Sequence, residues 1–298
     1  MDAIVADVGG TNTRMAYVSG GQVLPGTVQR FLNDDFADFE SIATTFANGH
    51  AAPAKMAVAI AGPSTEETGK LTNRDWTIHR ASLSNLLGVA RVQILNDLAA
   101  LGHAIPDLPD RFMEPLTPDL PRRRDEQALV VGLGTGFNVS PLKSPNVFSV
   151  EFGQTSLPVS VHKCLADFSC DTSAFPTAEH LFCGAGLSRL HVALGNAYAT
   201  APEIAAAGSD DMHRTLSAMA VALGEMVRQL AYTYWPLGGI YFNGSLATTM
   251  LAEDWRGQVL DPLRNDTAFS HIVSDIPAYL LTDDSAALYG CARYLSEM

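Results

Sequence analysis

The chain has 298 residues, 47% of them hydrophobic, and a formal net charge of -13. That length accommodates two domains, or one large one, with substantial cores. The acidic balance excludes a general nucleic-acid or anionic-membrane surface, but not nucleotide binding, where magnesium and backbone N–H groups offset phosphate charge locally.

No run of about 18 apolar residues occurs, so no transmembrane helix is expected. Met1-Asp2-Ala3 carries no basic segment, so no signal peptide is expected. Cys164, Cys170, Cys183 and Cys291 form no C-x-x-C pair. They point to reduced cytoplasmic thiols and away from a structural zinc.

In chain order, Ala3-Ile4-Val5-Ala6 and Met15-Ala16-Tyr17-Val18 read as strands flanking Asp7-Val8-Gly9-Gly10-Thr11-Asn12-Thr13-Arg14. This is strand-turn-strand, which excludes a P-loop and a dinucleotide fingerprint, since both open a helix. Two glycines let the backbone approach a ligand closely. Thr11, Asn12 and the loop N–H groups can donate to phosphate oxygens, and Asp7 can hold magnesium directly or through water. Taken alone, the stretch fits an ordinary Gly-rich hairpin equally well.

Gln22-Val23 and Thr27 to Phe31 are expected to form a third strand. Asn33-Asp34-Asp35 offers N-cap chemistry for a helix carrying Phe36, Phe39, Ile42, Ala43 and Phe46, stopped at Gly49. Met56 to Ala61 is a buried strand, Ser82 to Leu87 a short helix, and Val92 to Leu95 another strand with Asn96-Asp97 at its carboxyl end. A helix from Leu98 towards Ala104 follows. Asn96-Asp97 alone reads as a helix N-cap; beside two glycine hairpins it reads as a site. Mixed strands and helices predict an α/β sheet layered by helices, with ligands at the carboxyl ends of strands.

Pro106 to Arg124 reads as a connection, with Arg122-Arg123-Arg124 a solvated run. Ala128 to Val131 runs as a strand into Gly132-Leu133-Gly134-Thr135-Gly136, and Phe137 to Ser140 is the returning strand. Two such hairpins can clasp a triphosphate from two sides. Val147 to Val150 is strand-like ahead of Glu151-Phe152-Gly153-Gln154. Thr177 to Phe182 is helical and broken by Cys183-Gly184-Ala185-Gly186; Leu187 to Ala199 and Met212 to Tyr234 are helices. Gly239 to Phe242 is a buried strand, turning at Asn243-Gly244-Ser245. Ala278 to Leu281 is the last strand, Asp283-Asp284 a helix cap, and Ser285 to Leu295 the closing helix.

Asp7-Val8-Gly9-Gly10-Thr11-Asn12, Gly134-Thr135-Gly136 and Gly238-Gly239 with Gly244 resemble the phosphate-1, phosphate-2 and adenosine motifs of the actin-like ATPase superfamily. Within it, the chain is similar to the bacterial glucokinase family. Leu95-Asn96-Asp97 with Ala104-Ile105-Pro106 resembles that family's I-N-D-F…A-I-P segment. Leu71 to Trp76 resembles T-N-x-x-W, and Ala178 to Leu181 with Gly184 and Gly186 resembles A-E-x-x-L-S-G-x-G. Asp275-Ile276-Pro277-Ala278-Tyr279 also fits. The resemblance covers nearly the whole chain, in order.

It implies an actin-like ATPase (ribonuclease H-like) α/β fold with two domains around a cleft. The small domain is expected over 1–103, completed by the helix at 284–298, and the large one over 104–283. It implies ATP and magnesium as cofactors and transfer of phosphate to a hexose 6-hydroxyl, glucose first. Asp97 would be the base. Asn96, Asp97, Glu151, Gln154, Glu179 and Asn73 would bind the sugar; Asp7, Gly9, Gly10, Thr11, Asn12, Gly134, Thr135, Gly136 and Gly244 would bind Mg-ATP. It also implies domain closure and a homodimer.

The family's E-G-G-H turn here reads Glu151-Phe152-Gly153-Gln154. Gln154 can donate and accept hydrogen bonds but cannot titrate as histidine does, and Phe152 adds bulk where the family has glycine. These departures leave open a kinase for another hexose, or a non-catalytic sugar sensor on the same fold.

Overall fold

The computed structural model describes residues 1–49, 53–265 and 268–298. They form two compact units, one of Met1–Pro109, Pro145–Val147 and Asp283–Met298, the other of Asp110–Ser144 and Phe148–Thr282. No described helix is long and apolar enough to cross a membrane.

The first unit contains β1 (Ala3–Val8), β2 (Asn12–Ser19), β3 (Gln22–Val23), β4 (Gln29–Leu32), α1 (Phe39–Ala47), β5 (Lys55–Ile60), β6 (Thr68–Lys70), β7 (Thr77–His79), α2 (Arg80–Leu87), β8 (Arg91–Asn96), α3 (Asp97–Ala104) and a C-terminal helix, Ala286–Ser296. Its sheet runs β3-β2-β1-β5-β8, with β4 also paired to β2. β1, β5 and β8 are parallel, and β1 returns antiparallel into β2. β1 and β5 are almost continuously buried, as expected of strands covered on both faces. Strand alternation divides the work. Ile4, Ala6, Val8, Val58 and Ile60 join Phe39, Ile42 and Phe46 of α1 in one core. The opposite side of β1 and β5 meets the C-terminal helix. Asp7, one residue out of step with Ala6 and Val8, lies on that second face.

The second unit begins with β9 (Met113–Pro115), β10 (Ala128–Leu133) and β11 (Phe137–Lys143). The short β12 (Asn146–Val147) groups with the first unit. Helices α4 (Val159–Asp167), α5 (Ala178–Leu181), α6 (Gly184–Ala193), α7 (Ala201–Ala205) and α8 (Asp210–Tyr234) follow. Then come β13 (Gly239–Asn243), α9 (Ser245–Met250), α10 (Glu253–Arg264), α11 (Ser270–Val273) and β14 (Ala278–Leu281). Within the unit the strand order is β11-β10-β13-β14-β9. β10, β13 and β14 are parallel; β11 and β9 are antiparallel edges. Ser209 caps α8 by accepting from Met212 N. Gly224 lets α10 pack tightly on α8: a Cβ there would stand 2.6 Å from the Gln258 carbonyl oxygen.

Several elements differ from expectation. The third strand is two, because Pro25 seeds a 3-10 turn at Pro25–Thr27, where its fixed φ suits a turn. Asn33 does not cap α1; Asp38 does, through Ser41 N, and Phe36 stays outside the helix. β6 and β7 make a separate small hairpin, and the T-N-x-x-W stretch is the loop between them. The connection at 106–124 contains β9, which pairs with β14. Arg122 is not solvated: its guanidinium donates to Tyr241 Oη and pairs with Asp110. Of the expected strand at 147–150 only Val147 is in a strand, the short Asn146–Val147. The expected break after the 177–182 helix falls at Phe182-Cys183, where Cys183 also caps the next helix by accepting from Gly186 N, so Gly184 and Gly186 lie in that helix's first turn. α4, α7 and α9 to α11 escaped the sequence reading: α7, α9 and α11 are too short to show a period, and α10 holds Pro262, which reads as a break.

Candidate active site

In the first unit the carboxyl ends of three parallel strands come into line. Register places Val8, Ile60 and Asn96 abreast, about 10 Å from first to last at ordinary strand spacing. Asp7 therefore stands near Asp97. Asp7 pairs with Arg14, its register partner on β2, at 3.4 Å, and Arg14 also pairs with Asp284. Asp284 is thus the arginine's second counter-ion, not a cap. Asp283 holds the turn ahead of the helix, accepting from Ser285 N and Oγ, and the helix has no side-chain cap.

Burial pushes the Asp7 carboxyl up to about 7; Arg14 opposes this, while Asp97 and Asp284 add to it. Burial likewise pushes Asp97 up to about 6, against hydrogen bonds from the Leu98 and Asp97 amides and the Asn96 side chain. Two half-buried carboxylates near one another favour a cation, which would lower both values. The donor set at Asp7, a carboxylate with little competition besides one arginine, therefore suits magnesium.

Asn96 is a cap as well as a site candidate. Its Oδ1 accepts from Leu98 N and Ala99 N, and its Nδ2 donates to Gly62 O at 3.2 Å. With its other amide hydrogen turned to Asp97, Asn96 fixes the base's carboxylate as well as the helix start. Asp97 accepts from Leu98 N at 2.8 Å through Oδ1.

The Gly9–Asn12 turn is held from beneath. Gly9 N donates to Asn12 O at 2.9 Å. Asn33, fully buried, donates from Nδ2 to Gly9 O at 2.8 Å and Gly10 O at 3.3 Å, and accepts from Thr13 Oγ1. Arg74 Nε donates to Gly10 O at 3.2 Å. Asn12 Oδ1 accepts from Arg30, which leaves its amide nitrogen as the donor. Asn73 is exposed, with its Cβ 3.4 Å from where a Cβ on Gly10 would be. Trp76 is core, covered by the Arg74 guanidinium at 4.7 Å.

The second unit gathers two further groups. The Gly134–Gly136 turn closes with Gly134 N donating to Gly136 O, and Gly184 N donates to Gly134 O. Gly244, at φ 109°, lies beside it: a Cβ on Gly134 would stand 3.8 Å from Gly244 Cα. Any side chain at Gly244 would strike the Leu133 carbonyl, 2.3 Å away. Thr135 is exposed at the tip.

Adjoining this turn, Glu179 of α5 accepts from Phe137 N through Oε2 and from Gln154 Nε2 through Oε1, each at 3.2 Å. Gly136 lies directly against this carboxylate: a Cβ there would stand 2.8 Å from Glu179 Oε2 and would have to displace it. Glu151 is exposed and accepts from Asn138 Nδ2 at 3.1 Å. Asn138 organises the whole turn, donating also to Val150 O and accepting from Phe152 N. Phe152 does not point among these polar groups. Its ring packs edge-on against Phe137 and Tyr234, with centroids 6.3 and 6.1 Å away. Its backbone needs no glycine either, as its φ is not positive.

Asn33, Arg74 and Asn138 escaped the sequence reading. Asn33 resembled a cap, Asn138 one residue of a strand, and Arg74 a variable position of a loop motif. Nothing local marks a side chain whose partner is a backbone carbonyl distant in sequence.

Parallel strands ending in carboxylates, with glycine hairpins in both units, define a phosphotransferase of the actin-like ATPase fold. The glucokinase family model matches residues 4–298, so the chain belongs to the glucokinase family, whose members are ATP:glucose 6-phosphotransferases. Among similar curated proteins, glucokinases of Shigella sonnei and Chromobacterium violaceum are 28% and 27% identical. Each alignment spans 99% of this chain, with 97% and 89% of the respective relative. In fold, it is similar to a glucokinase from an Antarctic psychrotroph, with a TM-score of 0.85, 23% identity and 99% of both chains covered. A Streptomyces griseus ROK family glucokinase solved with glucose and AMPPNP aligns with a TM-score of 0.62 and 16% identity over 99% of both chains.

Proposed function

We propose that this chain moves the terminal phosphoryl group of ATP to the 6-hydroxyl of glucose, with Asp97 as the base. The observation that supports it is Asp97 at the carboxyl end of β8, abreast of the Asp7 strand end and its glycine turn. Asp97 would orient the hydroxyl and take its proton, which general-base chemistry makes worth about 10²–10⁴-fold in rate. Phosphoryl transfer otherwise depends on positioning and charge stabilisation.

The N–H groups of Gly9 to Asn12 and of Gly134 to Gly136 would hold the phosphates, with Gly244 admitting the nucleoside. Asp7 would hold magnesium directly or through water; bound there, the ion supplies charge neutralisation at the phosphoryl oxygens. Asn73 and Asn96 in the first unit, with Glu151, Gln154 and Glu179 in the second, would pair with sugar hydroxyls. We further propose a small domain over 1–103 with 284–298, a large domain over 104–283, a cytoplasmic location and a homodimer.

The second reading is a kinase for another hexose. Gln154 supports it, because this neutral amide touches Glu179 where the family carries histidine. A coupled ADP-release assay across a hexose panel tests both readings. Turnover highest with glucose supports the first, turnover highest with another hexose supports the second, and no ADP release with any sugar rejects both.

A further inference from the structure

Three successive carbonyls of the first glycine turn are drawn to one side. Gly9 O and Gly10 O accept from Asn33 Nδ2, Gly10 O also accepts from Arg74 Nε, and Thr11 O accepts from Asn33 N at 2.9 Å. In a trans peptide the carbonyl oxygen and the next residue's N–H point in opposite directions. Tying down these carbonyls therefore turns the N–H groups of Gly10, Thr11 and Asn12 to the other side. Among the described residues, Gly10 N and Thr11 N donate to no backbone acceptor. Successive N–H groups presented together form an anion-binding concavity.

Arg74 adds a second connection. Its Nη1 donates to Asn33 O at 3.3 Å, its guanidinium pairs with Asp34, and its guanidinium carbon stands over the Trp76 ring. The next residue back is Asn73, whose Cβ faces Gly10. One side chain thus fastens the β6–β7 loop to the glycine turn and to the residues after β4.

We infer that Arg74, supported by buried Asn33, is a positioning residue that presets the glycine turn for phosphate and makes the Asn73 loop move with it. Nucleotide and hexose binding are therefore coupled through Arg74. A sugar that draws on Asn73 also draws on Gly10 through Arg74, so binding of one ligand alters the turn that the other meets. This inference rests on the kinase reading, since it assumes phosphate at Gly10–Asn12 and a hexose at Asn73.

The test uses the full chain with Arg74→Lys and Arg74→Leu, and Asn33→Asp as a third variant. Calorimetry measures glucose affinity with and without Mg-AMPPNP, and Mg-AMPPNP affinity alone. Lost hydrogen bonds from a charged donor predict nucleotide affinity weakened about ten- to a hundredfold in Arg74→Leu, with partial recovery in Arg74→Lys. Mg-AMPPNP should raise glucose affinity in the wild type, and that gain should vanish in Arg74→Leu; a wild type that binds both ligands with no gain overturns the inference. A merely structural role would lower the unfolding temperature without abolishing that coupling. Wild-type affinities and coupling in a folded Arg74→Leu overturn the inference. A wild type that binds neither ligand and phosphorylates no sugar rejects the kinase reading itself, and the inference falls with it.

Discussion

Gly290 of the C-terminal helix lies directly against the backbone of Ala100 in α3: a Cβ on Gly290 would stand 1.7 Å from the Ala100 carbonyl oxygen and 3.0 Å from Ala104 N. Asp97 is the first residue of α3. The last helix of the chain therefore sets the position of the helix that carries the proposed base. Gly290→Ala should push the two helices apart. Overpacking of this kind costs about 1–3 kcal/mol, and kcat should fall because Asp97 moves. Urea unfolding and steady-state kinetics check both; wild-type stability and turnover would show that the contact relaxes without reaching Asp97.

Asp97→Asn separates chemistry from binding. The amide keeps the shape and can still hydrogen-bond a sugar, but it cannot accept a proton. Turnover should drop about 10²–10⁴-fold, while sugar affinity stays within about tenfold, or ~1.4 kcal/mol. Near-normal kcat in the variant would remove Asp97 as the base.

The same residue makes a pH prediction whose two halves run in opposite directions. Burial raises Asp97 to about 6 in the folded chain, above its ordinary 3.8. The folded state thus holds the proton more tightly than the unfolded one. The stability this contributes is complete below the ordinary value and is lost as pH rises through about 6. Catalysis needs the ionised base, so kcat/KM, which reports the free enzyme, should rise over the same interval. Asp97→Asn should flatten this pH dependence of stability and unfold at higher temperature than wild type at pH 8. Melting curves at pH 5 and pH 8 decide; parallel shifts for the two proteins would count against a buried, raised Asp97.

Gly10→Val tests the first turn. The added methyls would press past the contact with the Asn73 Cβ, 3.4 Å from the first added carbon, and fill the side to which the N–H groups turn. Mg-ATP affinity should weaken by at least about tenfold in a chain that still folds, because Gly10 is only half-buried. Undiminished binding by calorimetry would take this hairpin out of the nucleotide site.

Phe152 and Gln154 should separate cleanly. Phe152 packs on Phe137 and Tyr234 and touches the core, so Phe152→Gly should cost about 3 kcal/mol or more of stability and leave hexose preference alone. Gln154 touches Glu179, so Gln154→His should alter the ratio of kcat/KM for glucose against other hexoses. A preference that follows residue 152 instead would reverse the assignment.

Asp7, Asn96-Asp97 and the two glycine turns were legible from the sequence because each combines a strand's hydrophobic run with residues that end it. Local chemistry alone determines such features, and it placed the candidates at strand ends before any contact was known. The cap and site readings of Asn96-Asp97 looked exclusive in sequence, yet Asn96 caps α3 through Oδ1 while its amide nitrogen ties Gly62. What the chain could not declare locally was side-chain direction. Phe152 turns to the core because Phe137 and Tyr234 leave an edge-on place for it, and Arg14 is drawn to Asp7 and Asp284 because register and the C-terminal segment bring two carboxylates to it. Asn33 and Arg74 became visible only when strand pairing brought β4 and the β6–β7 loop beneath the glycine turn. Burial, which raises Asp97 and Asp7, is likewise a property of packing: the sequence specified carboxylates at strand ends, and the tertiary structure alone decided how far from water they stand.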